Sequence, residues 1–436
     1  MPGVIAIRRE TKSPWERRSP VTPELARELA ERSDVSVVIQ PSARRVFHDK
    51  EYVRAGAVVS NDLSAANIIL GVKEIPPESL QAGATYLFFS HVIKGQVQNM
   101  PMLARLRELG CTLIDYELIC SDDGQRLIFF GRFAGIAGMV DTLWALGERL
   151  RWEGVRSPFE NLQQAHVYGD VEQAKAAIAA VADDIRASGL PAGTSPLVIG
   201  VAGYGNVAQG AREVLAELPT RDVEPDEIGK LRGRDVSHSV VVTTFREEHL
   251  VAPRDPSRPF ELAEYYEHPD RYQPVFARHL PGLTVLVNAI YWDERYPRLV
   301  TKADLRRLFH DDRAPRLKVI GDLGCDLEGA IECTVKVTEP SSPVYVYDPG
   351  SETIARGVEG SGPVILAVDI LPAELPRDAS EEFSRALAHF LAPLARADFS
   401  VPYEELDLPE ELRQAIILHR GRLTPRFTYL ESHLGP

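Results

Sequence analysis

Residues Pro196–Ala211 read PLVIGVAGYGNVAQGA, and this stretch decides the fold of the region around it. An apolar run, Leu197–Val201, predicts a buried strand, and the run Val207–Leu218 predicts a helix. Between them, a G-x-G-x-x-A spacing is formed by Gly203, Gly205 and Ala208. A strand, a tight glycine turn and a helix in this order bind a dinucleotide pyrophosphate at the helix N-terminus. The motif alone is weak evidence and a purely structural turn is the alternative, but the flanking strand and helix favour a dinucleotide site.

The composition limits the classes of partner. The 436 residues include 49 basic and 63 acidic side chains, which give a net charge of −14, and 44% of the residues are hydrophobic. Such a chain suits a globular protein of two or three domains. The negative charge disfavours nucleic acid and anionic membranes as main partners. We therefore expect small-molecule substrates, with arginines grouped locally wherever a substrate is an anion.

Cysteine spacing does not support a disulfide framework or a metal site. The cysteines are Cys111, Cys120, Cys325 and Cys333. Because they are few and scattered, reduced structural thiols in a cytoplasmic protein are the favoured interpretation, and no bound metal is expected. No apolar run reaches the roughly 18 residues of a membrane span. The first predicted strand, Val4–Ile7, leads into charged residues rather than into a secretory signal.

Strand and helix patterns alternate in the first third of the chain. The predicted strands are Val4–Ile7, Val35–Ile39, Ile68–Val72, Tyr86–Phe89, Thr112–Ile114 and Leu127–Phe130. The predicted helices are Pro23–Glu31, Asp49–Ala55 and Met102–Leu109. This alternation predicts a mostly parallel, doubly wound α/β sheet, in which ligands bind beyond the carboxyl ends of the strands.

Polar residues stand where such a sheet binds its ligands. Lys73 and His91 each follow a predicted strand, and Arg18 lies in the loop after the first strand. Arginine binds carboxylates bidentately, a lysine shielded from water has a lowered pKa, and histidine is the usual acid–base side chain. Each residue alone is better explained as a solvated surface side chain, but three at one sheet edge favour a catalytic site. For Arg45, in the loop Ser42–Gly56, a helix-flanking charge and a substrate-carboxylate contact are both open.

The middle of the chain completes the predicted nucleotide-binding domain. Its second strand is expected within Thr220–Pro225. There Asp222 or Glu224 would bind the ribose of NAD, or Arg221 would bind the 2′-phosphate of NADP. Further strands are predicted at Val240–Phe245, Thr284–Ile290 and Leu317–Ile320. Positions near the nicotinamide are expected for Asn288, Asp322 and Asp326, with ordinary turn chemistry as the alternative.

Two long helical runs set the predicted domain boundaries. Phe133–Arg149 is typical of a connecting helix with a face of small residues at its start. Ser380–Leu394 is expected to return to the first domain, followed by a helical patch at Pro409–Leu418. We therefore expect residues 1–131 and 371–436 to form a substrate domain and residues 132–370 a Rossmann domain. The expected fold is α/β, with two Rossmann-like, doubly wound domains and the ligand cleft between them.

Short motifs spread over nearly the whole chain resemble those of one family. They are Arg-Arg-Glu10, Glu-Arg-Arg18, Val-Thr-Pro23, Ile-Gln-Pro-Ser42, Gly-Val-Lys73, Phe-Phe-Ser-His91, Leu-Ile-Asp-Tyr-Glu117, Gly-Asn-Val207, Asn288-Ala-Ile-Tyr-Trp292, Val-Glu-Gly-Ser-Gly362 and Leu371-Pro-Ala-Glu-Leu-Pro376. The N-terminal motifs resemble the alanine dehydrogenase and transhydrogenase N-terminal domain group. Within that group the whole set is similar to lysine–2-oxoglutarate reductase, the saccharopine-forming half of aminoadipic semialdehyde synthase.

The resemblance implies an oxidoreductase that acts on a CH–NH bond in lysine degradation. In that reaction the ε-amine of L-lysine condenses with 2-oxoglutarate, and a reduced nicotinamide reduces the resulting imine to saccharopine. The resemblance implies acid–base roles for Lys73 and His91, with Asp326 as a third catalytic residue. The expected substrate contacts are Arg18, Arg45 and Asp322.

The coenzyme implied by the resemblance is NADP, with NAD as the alternative. Its expected ligands are Gly203, Tyr204, Gly205, Asn206, Val207, Arg221, Glu224 and Asn288. A related reductive aminase, of the opine or alanine dehydrogenase type with another amine or 2-oxo acid, is the alternative enzyme. A regulatory nucleotide-binding subunit is disfavoured because Arg18, Lys73 and His91 are all present. The oligomeric state is left open.

Overall fold

The computed structural model describes residues 3–231, 236–311 and 315–434, and the chain divides into two compact units. Unit 1 contains the chain up to Phe130 and again from Pro376 onward, whereas unit 2 is Gly131–Leu375. Unit 1 is therefore discontinuous in sequence, and its second segment follows the whole of unit 2.

The secondary structure alternates between strands and helices through most of the chain. In chain order the strands are β1 (Gly3–Ile7), β2 (Val35–Ile39), β3 (Val58–Val59), β4 (Ile68–Leu70), β5 (Thr85–Phe88), β6 (Thr112–Asp115), β7 (Val198–Ala202), β8 (Thr220–Asp222), β9 (Val240–Phe245), β10 (Val251–Pro253), β11 (Tyr272–Pro274), β12 (Val285–Asn288), β13 (Val319–Asp322), β14 (Val344–Asp348), β15 (Thr353–Arg356), β16 (Val364–Leu366), β17 (Ile416–His419) and β18 (Arg422–Leu423). The α-helices are α1 (Pro23–Ser33), α2 (Asp49–Arg54), α3 (Met100–Glu108), α4 (Gly131–Trp152), α5 (Val171–Ser188), α6 (Asn206–Leu215), α7 (Glu247–Leu250), α8 (Leu262–Glu267), α9 (Lys302–Asp311), α10 (Pro376–Arg396) and α11 (Glu410–Gln414).

The sheet of unit 1 has the order β18-β17-β6-β5-β4-β1-β2-β3. Strands β1 to β6 pair in parallel, and β17 joins the edge strand β6 in the antiparallel direction. Helix α10 also belongs to this unit, where the hydroxyl groups of Ser380 and Ser384 accept hydrogen bonds from the backbone N–H groups of Ser19 and Thr22, at 2.9 and 3.0 Å. The C-terminal segment thus supplies both a strand and a helix to the N-terminal sheet.

Two sequence predictions in unit 1 are wrong. Residues 127–130 are not a strand, and the predicted helical patch Pro409–Leu418 ends early, because Ile416–His419 forms β17. The side chains of Ile416 and Leu418 are fully buried. A short apolar run that is buried on all sides has no periodicity that distinguishes a strand from a helix, so pairing with β6 decides its structure.

The sheet of unit 2 has the order β15-β14-β16-β13-β12-β7-β9-β8. It is parallel from β8 to β16, and the β14–β15 hairpin adds an antiparallel edge. These two mixed sheets with flanking helices confirm the predicted α/β class. The glycine-motif strand β7 is central and buried along its whole length, so the turn that follows it is held on both sides by neighbouring strands.

Helix α4 packs against α6 through glycines, as the predicted small face requires. A Cβ atom on Gly135 would overlap the carbonyl oxygen of Val207, and one on Gly210 would overlap the carbonyl oxygen of Arg132. The two helix backbones therefore lie closer together than any larger side chain permits. This contact positions the first turn of α6, which carries part of the glycine motif.

A pair of carboxyl groups is buried in unit 2, away from the glycine turn. Asp141 on α4 and Glu374, in the turn before Pro376, are 0% and 2% exposed. The N–H of Ala165 donates to Asp141 Oδ1 at 2.7 Å, and His166 Nδ1 lies 3.7 Å from Glu374 Oε2. Burial raises the pKa of Glu374 to about 7, and burial together with the charge of Glu374 raises the pKa of Asp141 well above its usual range. The folded protein therefore retains a proton here that the unfolded chain loses.

We expect Glu374→Gln to flatten the pH dependence of stability. The folded-state pKa of Glu374 lies above its ordinary value of 4.5, so its contribution is fully present below about pH 4.5 and is lost as the pH rises through 7. The shift corresponds to roughly 3 kcal/mol of unfolding free energy. Urea unfolding between pH 5 and 8 measures it. The exposed control Glu172→Gln should follow the wild-type curve, and parallel curves for Glu374→Gln and wild type would contradict the assignment.

Candidate active site

Lys73 and His91 lie beyond the carboxyl ends of the adjacent strands β4 and β5 of unit 1. Glu74, which follows Lys73 in sequence, is paired with His91 and with Lys12. His91 Nδ1 lies 2.8 Å from Glu74 Oε1, a hydrogen bond in which the carboxylate accepts, and Lys12 Nζ lies 2.6 Å from the same oxygen. The structure thus groups two basic side chains, a histidine and a carboxylate at one edge of the sheet.

Buried carboxylates hold the two loops that carry these residues. Glu10 accepts hydrogen bonds from the backbone N–H groups of Val72 and Lys73, at 2.8 and 3.2 Å. Asp115, at the end of β6, accepts from the backbone N–H of Ser90 at 3.0 Å and also from its hydroxyl group. His91 adopts a left-handed backbone conformation with φ +48°, which is uncommon for a residue with a side chain. The geometry of this edge is therefore fixed by internal hydrogen bonds.

The charges around Lys73 differ from those of an exposed lysine. Burial lowers the pKa of Lys73, and the nearby charge of Arg18 lowers it further, while Glu74 and Glu16 act in the opposite direction. For Glu74, burial favours the neutral acid, but the hydrogen bonds from His91 and Lys12 outweigh it and lower the pKa to about 2. Near neutral pH this edge therefore combines a carboxylate with an amine that releases its proton more readily than usual.

Arg18 is buried and paired, which the sequence did not predict. Its Nε and Nη2 donate to the two oxygens of Glu16 at 2.8 and 2.5 Å. Its guanidinium carbon lies 4.1 Å from the centre of the Phe130 ring, which stacks on Phe383. A guanidinium has five N–H donors, and the Nη1 group of Arg18 takes no part in this pairing.

Arg45, a predicted substrate contact, has structural partners in unit 1. Arg45 is only 5% exposed, and its guanidinium donates to Asp49 Oδ1 at 3.0 Å and to the carbonyl oxygen of Gln40 at 2.8 Å. Asp49 also accepts from the backbone N–H of Ser42. Arg45 therefore holds the loop before α2 in place, and its contact with a substrate carboxylate stays a prediction.

The glycine turn of unit 2 has the geometry of a phosphate cradle. Gly203 has φ +102°, its N–H donates to the carbonyl oxygen of Phe245 at 3.0 Å, and a Cβ atom there would lie 2.8 Å from the carbonyl oxygen of Ala289. Gly205 precedes α6 and has open space where a Cβ would stand. The first amide groups of α6 thus face a position that a phosphate can approach. The predicted residues Tyr204, Asn206 and Val207 belong to the same turn and helix start.

An aromatic cavity of about 310 Å³ adjoins this turn. Its wall includes Gly203, Gly205 and Ile290, together with the tyrosines Tyr204, Tyr265, Tyr266, Tyr291 and Tyr296. The hydroxyl groups of Tyr204 and Tyr266 donate to Glu247 Oε1 at 3.2 and 2.7 Å. Burial, with the charge of Glu247, raises the pKa of both phenols, so they remain donors. Sequence reasoning missed this cavity, although the Tyr-rich segments were a visible signal.

Asn288 and Asp322, the predicted coenzyme and substrate contacts, are paired with each other. Asn288 Nδ2 donates to Asp322 Oδ1 at 2.7 Å, and the Thr334 hydroxyl donates to Asp322 Oδ2 at 2.5 Å. Both residues are at most 2% exposed, and burial raises the pKa of Asp322 to about 6. They therefore fix the ends of β12 and β13, and their contacts with coenzyme and substrate stay predictions. Asp326 is exposed in the turn after β13.

The structure corrects the expectation for the strand next to the glycine turn. β8 carries Arg221 and leads to Glu224, but it is the edge strand, and β9 lies between it and β7. The sheet therefore separates Arg221 and Glu224 from the glycine turn by one strand. Arg246, the residue that follows β9, occupies the position that was assigned to them. The sequence order of strands does not reveal this exchange.

The chain is similar to known proteins over part or nearly all of its length. Residues 6–137 match the family model "Alanine dehydrogenase/PNT, N-terminal domain". The chain is 38% identical to the alpha-aminoadipic semialdehyde synthase of Arabidopsis thaliana over 98% of its own length, but it spans only 41% of that protein. It is 26% identical to a saccharopine dehydrogenase (NAD(+), L-lysine-forming) of Emericella nidulans, with coverage of 89% of this chain and 92% of that one. A solved L-alanine dehydrogenase shares the fold with a TM-score of 0.63 at 18% identity, covering 99% and 100% of the two chains.

The residues that the structure describes contain neither a membrane-spanning helix nor a metal-binding cluster. In residues 3–231, 236–311 and 315–434, no helix combines the length and the apolar character that crossing a membrane requires. Within the same ranges, no group of three or more His, Cys, Asp or Glu side chains is arranged to hold a metal ion.

Proposed function

We propose that this chain condenses L-lysine with 2-oxoglutarate reductively to form saccharopine. The proposal starts from the match of residues 6–137 to the alanine dehydrogenase/PNT N-terminal domain and from the similarity of the chain to alpha-aminoadipic semialdehyde synthase. The Emericella nidulans relative, which this chain spans almost completely, bears the name of a lysine-forming saccharopine dehydrogenase. Reduction of an imine needs an acid–base site and a hydride donor, and the two units offer one site for each.

The observation that carries the proposal is the grouping of Lys73, Glu74 and His91. Imine formation removes a proton from the ε-amine of lysine and delivers one to the oxygen of the carbinolamine, which leaves as water. Lys73 has a lowered pKa, so its amine is suited to accept the first proton. His91, hydrogen-bonded to the Glu74 carboxylate, is suited to donate the second, because that carboxylate orients the ring and stabilises its charged form.

Substrate binding is proposed for the arginine beside this group. 2-Oxoglutarate and saccharopine are multiply charged anions, whereas the chain has a net charge of −14. The Nη1 group of Arg18 is the part of its guanidinium that Glu16 does not occupy. We place a substrate carboxylate there. The stack of Arg18 on Phe130 keeps the guanidinium plane fixed, which lowers the entropy cost of binding.

A nicotinamide coenzyme is the proposed hydride donor, and it supplies the hydride when bound at the glycine turn of unit 2. Gly203 and Gly205 would leave room for its pyrophosphate, and the first amides of α6 would donate to it. Tyr204, Asn206 and Val207 complete the turn. The aromatic cavity adjoining it is suited to an adenine ring, because planar aromatic walls stack on a planar base. We propose NADP as the preferred coenzyme.

Steady-state assays test the proposal directly. Oxidation of NADPH and NADH is followed with lysine, ornithine or ammonia, each with and without 2-oxoglutarate, and saccharopine is identified by mass spectrometry. We expect turnover only when lysine and 2-oxoglutarate are both present. Turnover with ammonia alone as the amine would instead support an alanine dehydrogenase type, and turnover with another amine an opine type. Either result overturns the proposed substrate.

Compartment and assembly form a smaller part of the proposal. The described cysteines Cys111, Cys120, Cys325 and Cys333 are all unpaired, which favours the reducing cytoplasm over an oxidising compartment. Small molecules are the proposed partners, in agreement with the acidic composition.

A further inference from the structure

We propose that Arg246 selects coenzymes that carry a phosphate on the adenosine 2′-oxygen. The inference rests on the proposed nicotinamide coenzyme but not on the identity of the amine or the 2-oxo acid. In a Rossmann fold the residue at the end of the strand beside the glycine-motif strand reads the adenosine ribose. Here that strand is β9, because it pairs with β7 along its whole length, from Val198 with Val241 to Ala202 with Phe245.

Backbone contacts fix Arg246 beside the turn. The Gly203 N–H donates to the carbonyl oxygen of Phe245 at 3.0 Å, so Arg246 is the first residue past the strand at the level of the turn. Its guanidinium carbon lies 4.9 Å from the centre of the Tyr204 ring. Tyr204 is the middle residue of the Gly-Tyr-Gly turn, and the stack therefore holds the guanidinium over the cradle where the adenosine half of the coenzyme begins.

The guanidinium of Arg246 has donors available for an anion. In the described ranges 3–231, 236–311 and 315–434, none of the ion pairs uses Arg246. Arg212 is different, because it donates to Asp222 at 2.5 Å and to the Thr244 hydroxyl at 3.0 Å. A planar guanidinium with unused N–H groups binds a phosphate bidentately. Arg246 is thus the arginine at this edge that is suited to a 2′-phosphate.

A second cavity is lined by Arg246 and by acidic side chains, and the negative charge of these side chains opposes the binding of a phosphate. It measures about 480 Å³ and is lined in part by Thr244, Arg246, His249, Glu224, Glu227 and Glu248. The three glutamates carry negative charge towards it, but all three are exposed, so water screens them. Asp222, also in the wall, is neutralised by Arg212. A direct guanidinium contact outweighs screened repulsion at longer range, which favours a phosphate over a bare hydroxyl group.

Titration calorimetry of the full chain with NADPH and NADH tests the inference without any turnover. We expect wild type to bind NADPH more tightly than NADH, and Arg246→Ala to weaken NADPH binding about 30-fold while changing NADH binding by no more than about 2-fold. Arg246→Lys should retain part of the preference, because the charge remains and the planar fork is lost. Arg221→Ala, on the edge strand, is the matched control and should leave both affinities unchanged.

Three results would overturn the inference. The first is equal weakening of NADPH and NADH by Arg246→Ala, which would mean that the arginine only supports Tyr204. The second is loss of the preference in Arg221→Ala, and the third is a wild-type protein that binds NADH as tightly as NADPH. A chain that shows the expected binding but forms no saccharopine would contradict the proposed reaction and leave the role of Arg246 standing.

Discussion

Replacing Lys73 with methionine is expected to lower kcat about 1000-fold, the middle of the range that a positioned acid–base group contributes. Methionine has nearly the length of lysine but cannot carry a proton. The substitution also removes a half-buried charge whose pKa is already lowered by burial, so the unfolding free energy should not fall. Affinity for NADPH, bound by unit 2 in the proposal, should change less than about 2-fold. Stopped-flow kinetics, urea unfolding and titration calorimetry measure the three quantities.

The control for this variant is Lys50→Met. Lys50 is exposed on α2, and its loss should leave kcat within about 2-fold of wild type, as expected of a surface substitution. His91→Gln should lower kcat by about 100-fold, since glutamine cannot give a proton to the carbinolamine oxygen. If the folded Lys73→Met variant has a kcat within about threefold of wild type, Lys73 is not an acid–base residue. The acid–base site proposed at this sheet edge is then wrong.

Gly135→Ala is expected to destabilise unit 2 by about 3 kcal/mol or more. In an open helix the same change stabilises by up to about 1 kcal/mol, since alanine favours helix more than glycine does. The clash decides the sign here, because a Cβ on Gly135 would overlap the carbonyl oxygen of Val207, and that atom is backbone. The effect should extend to coenzyme binding, since Val207 lies in the first turn of α6.

Gly229→Ala is the matched control, in the same unit. A Cβ at Gly229 meets open space, so we expect a change within about 0.5 kcal/mol. Chemical denaturation followed by far-UV circular dichroism compares the two variants under identical conditions. Equal stability of Gly135→Ala and wild type would show that α4 and α6 can separate without cost.

The sequence predicted the features that depend on local pattern. The glycine turn after β7 follows from residue spacing, and Lys73 and His91 were located because a parallel sheet places functional groups after its strands. The face of small residues on α4 was likewise visible, and its contact with α6 is observed. In each case a few neighbouring residues contain all of the information.

Features that depend on contacts between residues far apart in sequence could not be predicted from local sequence patterns. That β9 inserts between β7 and β8 is a matter of sheet order, and it is the reason why we propose Arg246 instead of Arg221 as the contact of a 2′-phosphate. The hydrogen-bond partners of Arg18, Arg45 and Asp322 could not be predicted either. A buried pair of polar side chains produces no periodic pattern in the sequence. Glu16 and Glu74 stand within two residues of predicted site residues, so local charge pairs were a usable signal that was not used.

The discontinuous unit 1 has a consequence for biosynthesis. Its N-terminal strands emerge from the ribosome first, but β17, which completes their edge, and α10, whose serines anchor the start of α1, are translated only after the whole of unit 2. Unit 2 can thus fold while the N-terminal segment of unit 1 still lacks these partners and has apolar surface exposed. The N-terminal segment of unit 1 should therefore depend on chaperones until the residues from Pro376 onward have been synthesised.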